Sequence, residues 1–191
     1  MKNKVLMIIP SYYPAVGGAE RQLMGLAKEL NLYGVKIDVV TRRINHSPEL
    51  EEIDGYNVIR LFSRFPRLGF LIQLLFFILK SHSKYRVIHV HTLNSPAILC
   101  AFFAKLLDIP VLVKVTRSGK KSQLSRYAKS SFGKFFFNIL KKNTYFVAIT
   151  PDVFSELITL GAKKDQIFSI PNGVSKQKNL DKDFHVIKIV F

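Results

Sequence analysis

Three short stretches hold residues whose type and spacing suit work on an anion or a hydroxyl. The first is Pro14-Ala15-Val16-Gly17-Gly18-Ala19-Glu20-Arg21. Paired glycines let a backbone approach a ligand closely, because no Cβ intervenes. A helix that starts there offers unpaired N–H groups and a positive dipole end to an anion such as a phosphate. A plain strand-to-helix turn, with glycines for tightness alone, accounts for the same residues. The second stretch is His89-Val90-His91, followed by Thr92-Leu93-Asn94-Ser95-Pro96. A histidine at a strand end can donate to a ligand hydroxyl or take part in proton transfer. Histidines at i and i+2 on a strand share a face, which would also suit a metal. No cluster of Cys, Asp or Glu accompanies them, so no metal site is expected. His89 reads as a satisfied interior residue and His91 as a group at the rim. The third stretch is Thr116-Arg117-Ser118-Gly119. The glycine turn lacks the G-x-G-x-x-G spacing, and the next strand ends in Thr41-Arg42-Arg43 with no acidic ribose partner. It is therefore not the dinucleotide fingerprint.

Each stretch follows a run that reads as a strand. Val5 to Ile9 is continuously apolar, after which Leu23, Leu26, Ala27 and Leu30 recur at helical spacing. Tyr33-Gly34 is a helix stop. Residues 35–41 read as a strand, 42–54 as a polar loop and 57–61 as a short strand. Residues 67–80 read as an apolar helix, 86–90 as a strand and 95–107 as a helix opened by Ser95-Pro96. A strand over 110–115 runs into a basic loop, 114–129, then a helix around 132–142 and a strand over 145–149. Thr150-Pro151-Asp152 caps a further helix, and a last strand, 166–170, precedes Pro171-Asn172-Gly173-Val174. This alternation predicts an α/β fold, a Rossmann-like doubly wound parallel sheet. Ligands of such sheets lie outside the carboxyl ends of the strands, which brings all three stretches to one edge.

At 191 residues the chain has room for one domain with a sizeable core and the start of another. With 48% hydrophobic and 22% charged residues, the composition is globular. The 29 Lys and Arg against 13 Asp and Glu leave a formal charge of +16, which favours an anionic partner. The aromatics sit in apolar runs rather than as stacking platforms beside basic residues, so nucleic acid is not expected. The single Cys100 lies in an apolar helix pattern and fits a packing role in a reduced compartment. The N-terminal apolar run is five residues long and Pro10 ends it, which is no signal peptide. The most apolar stretch, Leu68 to Leu79, is too short to span a bilayer and reads as a buried or an interfacial helix. Arg60, Arg64, Arg67 and Lys80 flank it, and a second basic stretch holds Lys114, Arg117, Lys120, Lys121, Arg126 and Lys129.

The order of the motifs resembles a known family. A strand leads to P-x-x-G-G-A-E-R and an amphipathic helix; V-I-H-V-H-T, D-I-P-V-L-V-K-V-T and Y-F-V-A-I-T-P follow; L-G-A-K-K-D-Q-I-F-S-I-P-N-G-V closes the set. Over residues 4 to 175 this resembles the N-terminal domain of family 4 retaining glycosyltransferases of the GT-B architecture. The resemblance implies two Rossmann-like domains facing across a cleft. It also implies a nucleotide-sugar donor as substrate and no cofactor. The implied contacts for donor phosphate or acceptor are Gly17, Gly18, Arg21, His91, Thr116 and Arg117, with His91 the candidate catalytic group. Many members carry a histidine where Thr116 stands here, so no catalytic histidine carries over to that position. A related K-V-x-x-S-G stretch occurs in some members.

A further expectation concerns domain organisation. Residues 1–175 are expected to form the acceptor-side domain, 176–185 a linker, and 186–191 the first strand of a donor-binding domain whose remainder is missing. That domain would carry the residues that hold the diphosphate, so the chain is expected to be inactive alone. The implied acceptor is a polysaccharide, lipopolysaccharide or glycolipid, sugar-based or lipid-linked. The implied setting is cytoplasmic, peripheral on the inner face of an anionic membrane. The alternative is a non-catalytic basic Rossmann-like module that binds an anionic membrane surface or a phosphorylated ligand.

Overall fold

The computed structural model describes residues 4–14, 17–44, 46–62, 65, 67–119 and 122–173. In chain order the elements are β1 (Lys4–Ile8), α1 (Gly18–Leu32), β2 (Lys36–Arg42), β3 (Leu50–Ile53), β4 (Tyr56–Leu61), α2 (Leu68–Ser81), β5 (Tyr85–Val90), α3 (Ser95–Ala104), β6 (Val111–Val115), α4 (Gln123–Lys129), α5 (Ser131–Asn143), β7 (Tyr145–Ala148), α6 (Pro151–Thr159) and β8 (Ile167–Ser169). The strands form one sheet in the order β3-β4-β2-β1-β5-β6-β7-β8. All neighbours are parallel except β3 and β4. The expected doubly wound α/β sheet is therefore present. The linker and terminal strand expected after residue 175 lie outside the described residues.

The sheet grows in one direction from β1 to β2 and β4, then in the other from β5 to β8. Right-handed connections put helices on opposite faces when the direction reverses. Side-chain alternation along β1 shows both faces. Met7 and Ile9 pack with Leu23 and Ala27 of α1, and with Val39 and Val58. Leu6 and Ile8 point the other way, into a core shared with Leu74 of α2, Ala101 of α3, Leu140 of α5 and Leu157 of α6.

Two stretches differ from expectation. Segment 42–54, expected as a loop, contains β3, paired from Leu50↔Ile59 to Ile53↔Tyr56. The signal is Asp54-Gly55, with φ of 47° and 82°, the left-handed pair that a two-residue hairpin requires. The basic stretch 114–129 contains α4. Ser122 Oγ accepts from Ser125 N at 3.1 Å to start α4, and Ser130 Oγ accepts from Gly133 N at 2.9 Å to start α5. Gly133 is required by packing: a Cβ there would meet the carbonyl oxygens of Arg126 and Tyr127 at 2.8 Å. Two expected ends also move, since the helix after Ser95 stops at Ala104 and the last strand is only three residues long.

The hairpin braces the approach to the glycine turn. Arg60, only 3% exposed, donates to Tyr13 O at 3.3 Å, to Pro48 O at 3.3 Å and to Glu51 Oε2 at 2.6 Å. It is thus an internal clamp and not one of the surface cations beside α2, as its position in sequence had implied. Tyr12 and Tyr56 share a 2.7 Å hydroxyl hydrogen bond beside it.

The opposite, amino edge of the sheet is held by Asp38, which is 4% exposed. Its carboxylate accepts from Lys4 Nζ at 3.1 Å, Asn57 Nδ2 at 2.8 Å and Tyr85 Oη at 2.9 Å. These partners come from β1, β4 and β5, so one side chain on β2 ties four strands. Burial and the Asp38 charge push the Tyr85 phenol well above its ordinary range. Asp38→Ala removes the acceptor of the buried Tyr85 hydroxyl and of the half-buried Lys4 and Asn57 groups, and an unpaired buried group costs about 1–3 kcal/mol. The variant is expected to lose about 1–3 kcal/mol in urea unfolding. A loss under about 0.5 kcal/mol, the size of an ordinary surface change, would show that Asp38 is no hub.

Candidate functional site

The strand order reverses between β1 and β5, and the loops leaving these two strands diverge there. The ladder continues to the edge: His91 N donates to Ile8 O at 2.9 Å, and Ile9 N to Val40 O at 3.1 Å. Outside this edge lies a cleft of about 350 Å³. Gly18, Ala19 and Gln22 of α1 form one side of its lining. His91 enters after β5, Lys114, Thr116 and Arg117 from the end of β6, Ile149 after β7 and Asn172 after β8.

Gly18, His91, Thr116 and Arg117 are thus brought together. Gly17 lies beside the lining as the N-cap of α1, with φ −109° and ψ −166°, an extended conformation open to any residue. Its N–H is already occupied, donating to Glu20 Oε2 at 3.0 Å. Gly18 is helical, and a Cβ built on it meets nothing within 4 Å. Backbone conformation does not demand glycine at either position. What Gly18 supplies is open space next to first-turn N–H groups that lack intrahelical acceptors. Arg21, one turn on, is exposed and lies outside the cleft lining. Ala15 and Val16 lie outside the described residues.

His91 is not at the rim as expected; it is 1% exposed, at the cleft floor. His89 is 8% exposed, and the two rings stand 4.1 Å apart between centroids. Both ring nitrogens of His91 and Nε2 of His89 have no hydrogen-bond partner among the described residues. Burial, with the Lys114 charge second, lowers the His89 pKa to about 4. Burial, His89 and Lys114 together hold His91 well below its ordinary value. Both rings are therefore neutral near pH 7, each with one donor and one acceptor nitrogen. No three His, Cys, Asp or Glu side chains among the described residues are grouped to hold a metal.

Lys114 departs furthest from expectation. Read as part of a surface basic loop, it is 8% exposed and sits on β6, facing the cleft. Burial lowers its pKa. The alternation Val111-Leu112-Val113-Lys114-Val115 carries the signal, since a charge inside an apolar parallel strand is rarely a solvated one. Lys120 and Lys121 lie outside the described residues. The loop after β6 is fixed from α6: Glu156 accepts from Gly119 N through Oε1 and from Ser122 Oγ at 3.4 Å through Oε2. Gln22 Nε2 donates to Gly173 O at 3.0 Å, tying α1 to the segment that carries Asn172.

The profile of Glycosyltransferase Family 4 matches residues 16–178, most of the chain. The chain belongs to this family. Solved structures agree on the fold of the family 4 domain. It is similar to HepE of Anabaena, in complex with UDP and glucose, with a TM-score of 0.63 and 18% identity over 90% of this chain and 44% of that one. A glycosyltransferase from Rickettsia africae gives 0.60 and 19% over 91% and 44%. WaaG, a glycosyltransferase involved in lipopolysaccharide biosynthesis, gives 0.53 and 11% over 86% and 44%. The sheet is that of a GT-B N-terminal domain, and the chain spans less than half the length of these structures. No curated protein sequence matches it.

The buried histidines make stability depend on pH in a defined direction. Their folded pKa values lie below the ordinary 6.5, so below that pH the unfolded chain binds more protons. Stability present above about pH 6.5 is lost as pH falls toward about 4, where His89 titrates in the fold. A shift of that size corresponds to about 3 kcal/mol for His89. Urea midpoints of the family 4 domain should fall across this range, and the slope should flatten in the variant His89→Gln/His91→Gln. An unchanged slope in the variant would place the acid sensitivity elsewhere.

Proposed function

We propose that this chain is the acceptor-side half of a retaining glycosyltransferase that uses a nucleotide-sugar donor. The observation that carries the reading is the cleft at the strand-order reversal, where Gly18 leaves open space against the N-terminus of α1. A donor's leaving diphosphate needs preorganised positive charge as the glycosidic bond breaks. The first turn of α1, Arg117 and Lys114 supply part of it. Neutral His91 can hold a sugar hydroxyl, donating through one ring nitrogen and accepting through the other. The complex of HepE with UDP and glucose supports a nucleotide-sugar substrate for the same architecture. No cofactor enters this reading.

Transfer requires an opposing wall, because binding energy realised only in the transition state must come from both sides of the sugar. Chain 1–191 is therefore expected to be inactive with nucleotide-sugar donors and a membrane extract, and to turn over when a separately expressed donor-binding half is added. Gly18→Val should leave the fold intact, since its Cβ meets nothing, and should lower transfer in the reconstituted enzyme by about 100-fold or more. Turnover by 1–191 alone would overturn the division into halves. Wild-type transfer by Gly18→Val would reduce the glycine turn to a connection.

The proposed acceptor is a polysaccharide, lipopolysaccharide or glycolipid, met at the cytoplasmic face of an anionic membrane. The specific support is α2. Phe70, Leu74 and Ile78 pack into the core, while Leu68, Ile72, Phe76 and Leu79 stand 67%, 46%, 63% and 40% exposed on the other face. At 100° per residue these four fall in a stripe roughly 80° wide. No helix among the described residues is long and apolar enough to cross a membrane. A short helix that is apolar on both sides suits the plane of the interface. Arg67 and Lys80 at its ends, with Arg126 and Lys129 of α4, are exposed and add roughly 1 kcal/mol each near anionic lipid. Sedimentation with phosphatidylglycerol vesicles should show binding that weakens with salt and is lost in Ile72→Ser/Phe76→Ser. Equal binding to neutral vesicles, or none to either kind, would remove the electrostatic part of this idea.

A further inference from the structure

We propose that Lys114 makes the floor of the cleft a phosphate-binding subsite, so that this half of the enzyme binds a phosphate ester unaided. The inference rests on the transferase reading for its setting and adds that Lys114 holds a phosphate group in this half alone, before any opposing wall is present. Lys114 is 8% exposed, on a strand whose neighbours Val111, Val113 and Val115 are fully buried. Ion pairs among the described residues join Lys4 to Asp38, Arg43 to Glu49 and Arg60 to Glu51; Lys114 has none. A buried cation without a counter-ion costs stability, and a methionine of similar length would fill the same space without that cost. A charge kept at such a place calls for an anion that arrives from outside.

The surroundings define that anion. Among the described residues the cleft lining holds two cations, Lys114 and Arg117, and no carboxylate. Two acidic groups close to the cleft in the chain are engaged elsewhere: Glu20 accepts from Gly17 N, and Glu156 accepts from Gly119 N and Ser122 Oγ. Asp152, three residues after Ile149, is exposed in the first turn of α6 and outside the lining. Neutral donors surround the space from several sides: the start of α1, Gln22, Thr116 and Asn172. At the floor, His91 is buried and both its ring nitrogens are unpartnered among the described residues. Lys114 lies two strands from β1, about 10 Å across the sheet. A lysine side chain and one phosphate group bridge most of that distance to the first turn of α1. Donors converging from several directions suit the three oxygens of a phosphate ester better than a planar carboxylate. That phosphate belongs either to the donor diphosphate or to a phosphorylated acceptor.

The chain 1–191 is titrated at constant ionic strength with pyrophosphate, UDP and glucose 6-phosphate, read by imidazole NMR of His91 and by thermal melting. Saturable shifts of the His91 ring and a raised Tm are expected in the wild type. Lys114→Arg should keep both. Lys114→Met should weaken binding by more than about tenfold. With no ligand Lys114→Met should melt at or above the wild-type temperature, which separates loss of binding from loss of fold. Tighter binding of UDP and pyrophosphate assigns the subsite to the donor; tighter binding of glucose 6-phosphate assigns it to the acceptor. No His91 shift in the wild type, equal binding by Lys114→Met, or an equal effect of chloride would overturn the subsite. Any of these can occur while the reconstituted enzyme still transfers sugar, and Lys114-dependent binding can persist if transfer fails, so the two readings fall separately.

Discussion

The pairing of β1 with β5 is the constraint on which the rest of this domain depends. It is the place where the strand order turns back, so no connection crosses the carboxyl edge there. Its register, Met7↔His89 and Ile8↔Val90, puts His89 on the α1 face, and the His91 N–H to Ile8 O bond extends it to the cleft floor. A slip of one residue would turn both histidines to the other face of the sheet. The register is secured at the far edge, where Asp38 takes hydrogen bonds from Lys4 of β1 and Tyr85 of β5. The amino edge of the sheet thus fixes what the carboxyl edge presents.

The charge of the chain gains meaning once it is distributed over this frame. Of the cations that sequence grouped together, Arg60 serves an internal clamp, Lys114 faces the cleft, and Arg67, Lys80, Arg126 and Lys129 remain in solvent. Glu20 and Glu156 near the cleft are turned to backbone N–H groups, and the described lining carries Lys114 and Arg117 as its charged groups. The same sorting splits α2. Its buried face is core, and its exposed face repeats the apolar pattern without a sheet to cover it.

Much of this was legible in the sequence because parallel sheets write their strands as apolar runs and put loop chemistry after them. The glycine turn, the His91 loop and Thr116-Arg117 all reach one edge, as that rule requires. What escaped was either chemistry hidden inside a strand or a turn read as polar filler. Lys114 reads both as part of the strand 110–115 and as the start of the basic loop 114–129, and its charge was counted with the loop. Asp54-Gly55 announced a hairpin at the end of a segment, 42–54, that reads as a loop from its polarity and Pro48. Asn172 and Ile149 reach the cleft only through the ends of β7 and β8, a proximity that no local pattern carries. The depth of His91 also came from packing: a residue just past a strand end is exposed by default, but here β1 and β6 flank it on both sides.

The two edges of the sheet treat polar groups differently, and the contrast points to the candidate site without reference to family. At the amino edge the buried carboxylate of Asp38 meets three donors, and the tyrosine beside it is paired. At the carboxyl edge, among the described residues, Lys114 is buried without an ion pair, His91 has two unpartnered ring nitrogens, and Gly18 leaves open the space a Cβ would take. A domain shaped by stability alone would place methionine, an apolar residue and alanine at these positions. Each departure costs stability at one place, and all of them face a single cleft. Local choices that oppose the fold while agreeing with one another single out this cleft as the candidate site.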